Sequence, residues 1–162
     1  MMSQLIDQSL YDQLIEQAEV NPRRRAHHNL HQSYDEPVQR VCIGLLSGTY
    51  VRPHAHRQAH QWELILGLQG ETYLIIFDPS GTITQRFMLS ERNHTQGIEL
   101  PPGTWHTLYP VNKQSIILEI KQGPYNPDFA AVFADWAPEE SEPESVLFLQ
   151  WLHHAETGSS FC

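Results

Sequence analysis

The chain opens with apolar residues at helical spacing. Within Ser3–Glu19, Leu5, Ile6, Leu10, Leu14, Ile15 and Ala18 recur with acids and glutamines between them. This pattern predicts an amphipathic helix, ended by Asn21-Pro22. Residues 23–37 carry His27, His28 and His31 without a period and read as an irregular arm. From Val38 the texture changes to short β-branched and aromatic runs: VQRVCIGLL, GTYVRPHAH, QWELILGLQG, ETYLIIFD, TITQRFMLS, GIELPPGTWHTLYP and SIILEIKQG. Gly, Pro, Asn, Asp or Ser bounds each run, as expected of strands joined by turns. Asp78-Pro79-Ser80-Gly81 is a hairpin turn between two of them. Many short strands with no intervening helix predict a mainly β sandwich or barrel rather than a parallel sheet with crossover helices. After Gly123 the chain is rich in Pro and Glu, and Val146–Leu152 reads as a last strand or helical turn that docks back. The predicted organisation is an N-terminal helix and arm over residues 1–36, a β-barrel over 37–125 and a C-terminal extension over 126–162.

Composition narrows the class. The 162 residues suffice for one domain with a buried core. A hydrophobic share of 40% against 18% charged excludes a disordered chain. The net charge of -9 repels phosphate backbones, so no nucleic-acid partner is expected, and Arg23–Arg25 is too short a basic run to reverse that. No apolar run reaches the roughly 20 residues that cross a bilayer. The acidic start lacks a signal-peptide pattern. Two cysteines, Cys42 and Cys162, are too few for a disulfide framework and fit free thiols in a cytoplasmic protein.

Histidine changes the picture, with ten residues against ten Lys plus Arg. In His54-Ala55-His56 the two imidazoles point to one face of a strand. Glu63 follows in the next run, and His106 lies fifty residues on. Three imidazoles and one carboxylate from different strands of a barrel suit one divalent transition metal: Fe, Zn, Mn, Ni or Co. Four protein ligands leave open positions on a metal that prefers six.

These residues resemble the cupin signature. Its first motif, G(X)5HXH(X)3–4E(X)6G, is met by Gly48, His54, His56, Glu63 and Gly70, with six residues instead of three or four between His56 and Glu63. His60 lies in that longer gap and is the alternative fourth ligand. The core of the second motif, PXG(X)2H, is met by Pro101-Pro102-Gly103-Thr104-Trp105-His106. Gly97 stands two places nearer to Pro101 than the pattern asks, and Pro110 replaces the usual Asn. Over most of its length the chain also resembles the WbuC-type cupins. Asn29-Leu30-His31, Pro37-Val38-Gln39-Arg40, Gly48 to His54, Trp62-Glu63-Leu64 and Gly123-Pro124-Tyr125 carry that likeness. The resemblance implies a cupin fold, that is, a double-stranded β-helix or jelly-roll barrel with a short N-terminal helix. It also implies a metalloprotein associated with surface-polysaccharide or small-sugar metabolism.

Other residues are pocket candidates. Arg52 shares parity with His54; it either clamps a carboxylate or phosphate of a ligand or sits at the rim paired with a local acid. Arg40 interrupts an apolar run, and Glu119 and Lys121 share one face of a late strand; they form either a polar network at the barrel mouth or a solvated face. His31, with Asn29, either folds over the mouth as a lid or lies in an ordinary surface loop, and Tyr50 falls on an inward position, for packing or acid catalysis. Trp62, Leu64 and Leu66 alternate opposite to Glu63 and predict packing against the second sheet or a homodimer partner. The expected ligand is a small polar, sugar-like molecule. One expectation is a metal-dependent isomerase, epimerase or oxygenase. The other is a metal-containing binding or sensing module without turnover.

Overall fold

The computed structural model describes residues 3–161. Helix α1 spans Gln8–Val20. It begins five residues later than the apolar spacing suggests, because the Asp7 side chain accepts a hydrogen bond from Leu10 N and caps it there. Leu5, 72% exposed, and Ile6 therefore fall outside the helix. The expected irregular arm contains a strand, β1 (Arg25–Asn29), paired antiparallel with β2 (Val38–Leu46). There follow β3 (His54–Ala55), β4 (Glu63–Gln69), β5 (Thr72–Phe77), β6 (Ile83–Leu89), β7 (Gly97–Leu100), β8 (Trp105–Pro110) and β9 (Gln114–Gln122). A 3-10 turn at Pro127–Phe129 leads to β10 (Val132–Phe133), and α2 (Glu144–His154) ends the chain's regular structure. Val146–Leu152 is thus part of a helix.

Two antiparallel five-stranded sheets face each other, ordered β1-β2-β9-β4-β7 and β10-β3-β8-β5-β6. This two-sheet arrangement is a jelly-roll barrel. Ile43, Leu45, Ile65, Leu74, Leu108 and Ile117 fill the space between the sheets. Each outer face is covered by a helix. Leu10, Leu14 and Ala18 of α1 lie on Cys42, Leu46, Ile116 and Leu118 of the first sheet. Phe148, Leu149 and Leu152 of α2 lie on Ile75, Phe77 and Tyr109 of the second. Both faces of β2 and β9 are therefore apolar, which explains runs too hydrophobic to alternate. Cys42 is buried and free; Cys162 lies outside the described residues.

Turn chemistry places the strand ends. Asp78 Oδ1 accepts from Ser80 N and Thr82 N at 2.8 and 3.0 Å, closing the β5–β6 hairpin as expected. Gly103 adopts φ +82°, and its N–H donates to His56 O at 2.7 Å, tying the loop before β8 to the strand end that carries the histidines.

Candidate metal centre

The second sheet supplies three imidazoles. His54 on β3 stands directly opposite His106 on β8, and His56 follows two residues after His54. The ring centroids of His54 and His106 are 4.5 Å apart, and those of His54 and His56 are 5.3 Å apart. Ligand nitrogens of the three histidines all lie within 4.8 Å of one another. The first sheet supplies a carboxylate. Glu63, at the start of β4, is 2% exposed, and its Oε2 lies 3.1 Å from His106 Nε2 and 3.4 Å from His56 Nε2. The four side chains meet between the sheets.

Their hydrogen bonds orient them for coordination. His54 Nδ1 pairs with Arg52 O at 2.9 Å, His106 Nδ1 with Thr104 O at 3.0 Å, and His56 Nδ1 with Ala130 O. A carbonyl accepts only, so each Nδ1 carries a proton, and in the neutral ring Nε2 is the nitrogen left to bind a metal. His56 Nε2 is buried without a partner in hydrogen-bonding geometry, its nearest anionic neighbour being Glu63 Oε2 at 3.4 Å. Buried polar atoms left in this state are costly unless something satisfies them. Three imidazole nitrogens within 4.8 Å of one another, with Glu63 against two of the three, fit a divalent transition ion. The three histidines are positioned to bind one.

Lys121 lies across from Glu63 on β9, with Nζ 2.9 Å from Glu63 Oε1 and 2.9 Å from Glu119 Oε2. Burial disfavours every charge here. At Glu63 the Lys121 ammonium and the imidazoles outweigh it and hold the carboxyl well below its usual range. Burial raises the Glu119 carboxyl, and Lys121 offsets that only in part. At Lys121 the two carboxylates outweigh burial and raise the ammonium above its ordinary value. At His54, burial and the nearby His106 push the imidazole well below its ordinary range.

The histidine cluster borders, through His54 and His56, a cavity of about 670 Å³. Arg52, Glu119 and Lys121 line it. Arg40, Tyr50 and His31 lie away from its lining. On β2 it is Gln39, not Arg40, that faces inward, because Gln39 shares its face with Val41, Ile43 and Leu45. Arg40 instead pairs with Glu36 on the outside. Tyr50 joins the aromatic cluster under α2 and donates its hydroxyl to Pro138 O at 2.8 Å. His31 is buried in the arm, with Nδ1 2.9 Å from the Arg40 backbone, as part of a folded loop. His60 is exposed. Trp62 lines the cavity and bonds Gln122 Oε1 at 2.9 Å, while Leu66 and Leu68 pack into the α1 cluster. Sequence reasoning missed Arg25 and His27 of β1, which share a strand face and also line the cavity. Their alternation in Arg25-Ala26-His27 was the available signal.

Residues 6–89, half of the chain, match the family described as a domain of unknown function, DUF6016. The chain belongs to that family. No curated protein matches this DUF6016 chain. Among solved structures, oxalate oxidase in complex with the substrate analogue glycolate aligns with a TM-score of 0.55 at 14% identity, covering 83% of this chain and 75% of that one. The conserved protein SPY1581 of unknown function from Streptococcus pyogenes gives 0.52 at 17%, covering 78% and 92%. KdgF from Halomonas sp. gives 0.50 at 17%, covering 67% and 86%. These likenesses show that the DUF6016 chain shares their fold. Among the described residues no helix is long and apolar enough to cross a membrane.

Proposed function

We propose that this chain is a metal-dependent cupin of the WbuC type that acts on a small, sugar-like polar molecule in polysaccharide or carbohydrate metabolism. The observation that carries the reading is the clustering of His54, His56 and His106, with Glu63 against His56 and His106, beside the cavity that His54 and His56 line. These four would hold one divalent ion. When bound, such an ion supplies Lewis acidity toward a carbonyl or hydroxyl. The chain's own residues do the rest. The carbonyls of Arg52, Ala130 and Thr104 aim the imidazoles. Lys121 keeps Glu63 ionised and holds a proton beside the site. Ile43, Leu45, Val51 and Leu108 give the cavity its apolar wall. Isomerisation, epimerisation and oxygenation of a small polar substrate all suit this arrangement. A second reading, binding or sensing without turnover, draws on the locking of Lys121 between Glu63 and Glu119, which leaves it bound to two carboxylates.

The three-part organisation serves the same role. The barrel carries the ligands, while the arm and the C-terminal extension wall the cavity through Arg25 and Glu139–Ser141. The reading includes a cytoplasmic homodimer. Exposed Val132 and Phe133 on the edge strand β10 support pairing, now that α1 covers part of the β4 face. Light scattering should report about twice the 18.7 kDa chain mass, and a clean monomer rejects pairing.

Elemental analysis of tag-free protein tests the central claim. Wild type should carry about one divalent ion per chain, and His54→Ala and His106→Ala should lose it. Equal metal content in all three would overturn the reading. Turnover assays on sugar derivatives with metal-loaded protein separate enzyme from sensor.

A further inference from the structure

We propose that the cavity above His54, His56 and His106 takes a small molecule bearing an anionic group, a carboxylate or a phosphate, and that Arg52 pairs with that group. This inference deepens the metal-dependent reading and rests on it.

The chain as a whole carries a net charge of -9, which repels anions. Yet four of its ten Lys and Arg residues line this one cavity: Arg23, Arg25, Arg52 and Lys121. Three carboxylates line it with them: Glu119, Glu139 and Glu140. A divalent ion seated on Glu63 adds one further positive charge. The loaded cavity then holds two more positive than negative charges, inside walls of low dielectric where that surplus is felt strongly.

The surplus is not spread evenly. Lys121 is taken by Glu63 and Glu119. Arg23 and Arg25 share the single carboxylate of Glu140, and Arg25 also donates to Tyr50 O at 3.1 Å. Arg52 has the weakest partner. Its Nη1 lies 3.8 Å from Glu139, whose side chain is 63% exposed and therefore screened. Nη2 donates to Ala134 O at 2.9 Å, and Nε is buried with no hydrogen-bond partner. A guanidinium with an unused buried donor is shaped for the fork-like pairing that carboxylates and phosphates accept.

Its place is also right. Arg52 precedes His54 by two residues, and its guanidinium sits over the Phe133 ring, 5.5 Å from the centroid. The His54 ring lies 6.3 Å from the same ring. A ligand can therefore present its anionic group to Arg52 and a second oxygen toward the metal position. His27, on the opposite wall, reports the local field. Partial desolvation at the cavity wall, and then the charges of Arg25, Arg23 and Lys121, lower its imidazole below its ordinary value, although the side chain itself is exposed. A cavity of about 670 Å³ accommodates a monosaccharide-sized molecule.

The test titrates full-length protein with Co²⁺ and then measures binding of glucuronate, glucose 6-phosphate and glucose by calorimetry. Changes in the Co²⁺ absorption spectrum are followed in parallel. At least one anionic probe should bind at least about tenfold more tightly than neutral glucose, and which one separates a carboxylate from a phosphate ligand. Arg52→Gln should remove that preference while still binding one Co²⁺ per chain, and Arg52→Lys should restore part of it. Lys113→Gln, which changes an exposed cation outside the cavity, should behave as wild type. The proposal is overturned if neither anion binds more tightly than glucose, a comparison that needs no variant. It is also overturned if folded Arg52→Gln keeps the full preference. Failure to bind one Co²⁺ per chain strikes the metal reading instead. Thermal shifts without Co²⁺, compared between wild type and the Arg52 variants, then decide the anion site alone.

Discussion

Lys121 and Glu63 face each other across the β4–β9 ladder, with Nζ 2.9 Å from Oε1. Glu119, two residues before Lys121 on the same face, takes the other side of the ammonium at 2.9 Å. One cation thus compensates two buried carboxylates. Lys121→Met leaves both without it. Metal-free Lys121→Met should lose about 3 kcal/mol of stability in urea unfolding, because breaking a buried pair strands its partner charges. A divalent ion at the site supplies the missing positive charge, so added metal should recover much of the loss. A variant as stable as wild type without metal contradicts the role given to Lys121.

Glu63 and His60 are separated by the structure. Glu63 is buried against His56 and His106, whereas His60 is exposed. Glu63→Gln should weaken metal affinity at least about tenfold, since even residues that only support ligands have effects of that size. His60→Ala should match wild type. Competition with a chromogenic chelator measures both, and the reverse pattern excludes Glu63 as a ligand.

The Arg23–Glu140–Arg25 cluster makes stability depend on acid. Burial raises the Glu140 carboxyl, but hydrogen bonds from Arg23 and Arg25 outweigh it and bring it below its ordinary value of 4.5. A carboxyl lowered by folding contributes stability above its ordinary value and loses it as pH falls toward its folded value. Wild type should therefore lose stability on acidification below about pH 5. Glu140→Gln should be less stable at pH 7 and show a flatter acid slope. Parallel curves for the two proteins would show that the cluster contributes nothing.

Leu14 anchors α1 on the outer face of the first sheet and is 1% exposed. A Cβ on Gly44 of β2 would come within 3.0 Å of Leu14 Cβ, so the helix already rests on the strand. Leu14→Ala should cost about 2–5 kcal/mol in chemical unfolding. Its metal content should stay at the wild-type level, because the ligands lie on the other side of that sheet. A loss of metal without a loss of stability would mean that α1 acts on the site and not on the fold.

Local sequence alone determined a good deal of this protein. Strand-length apolar runs bounded by turn residues announced the barrel, and the turn at Asp78–Gly81 closes as its residues require. The two-residue spacing of His54 and His56, and the spacing of Glu63 to Gly70, are short-range regularities that survive into the folded chain. Tertiary structure decided what depends on remote neighbours. The run VQRVCIGLL has apolar residues on both faces because α1 covers one and the barrel interior the other. Parity therefore could not tell Arg40 from Gln39. Tyr50 turned outward because α2, nearly a hundred residues on, builds an aromatic cluster there. Arg25 reads as part of a short basic run until Glu140, 115 residues away, meets it at the cavity wall. Periodicity records which residues share a face. Which face turns inward, and which distant charges meet there, is settled only when the sheets and helices pack.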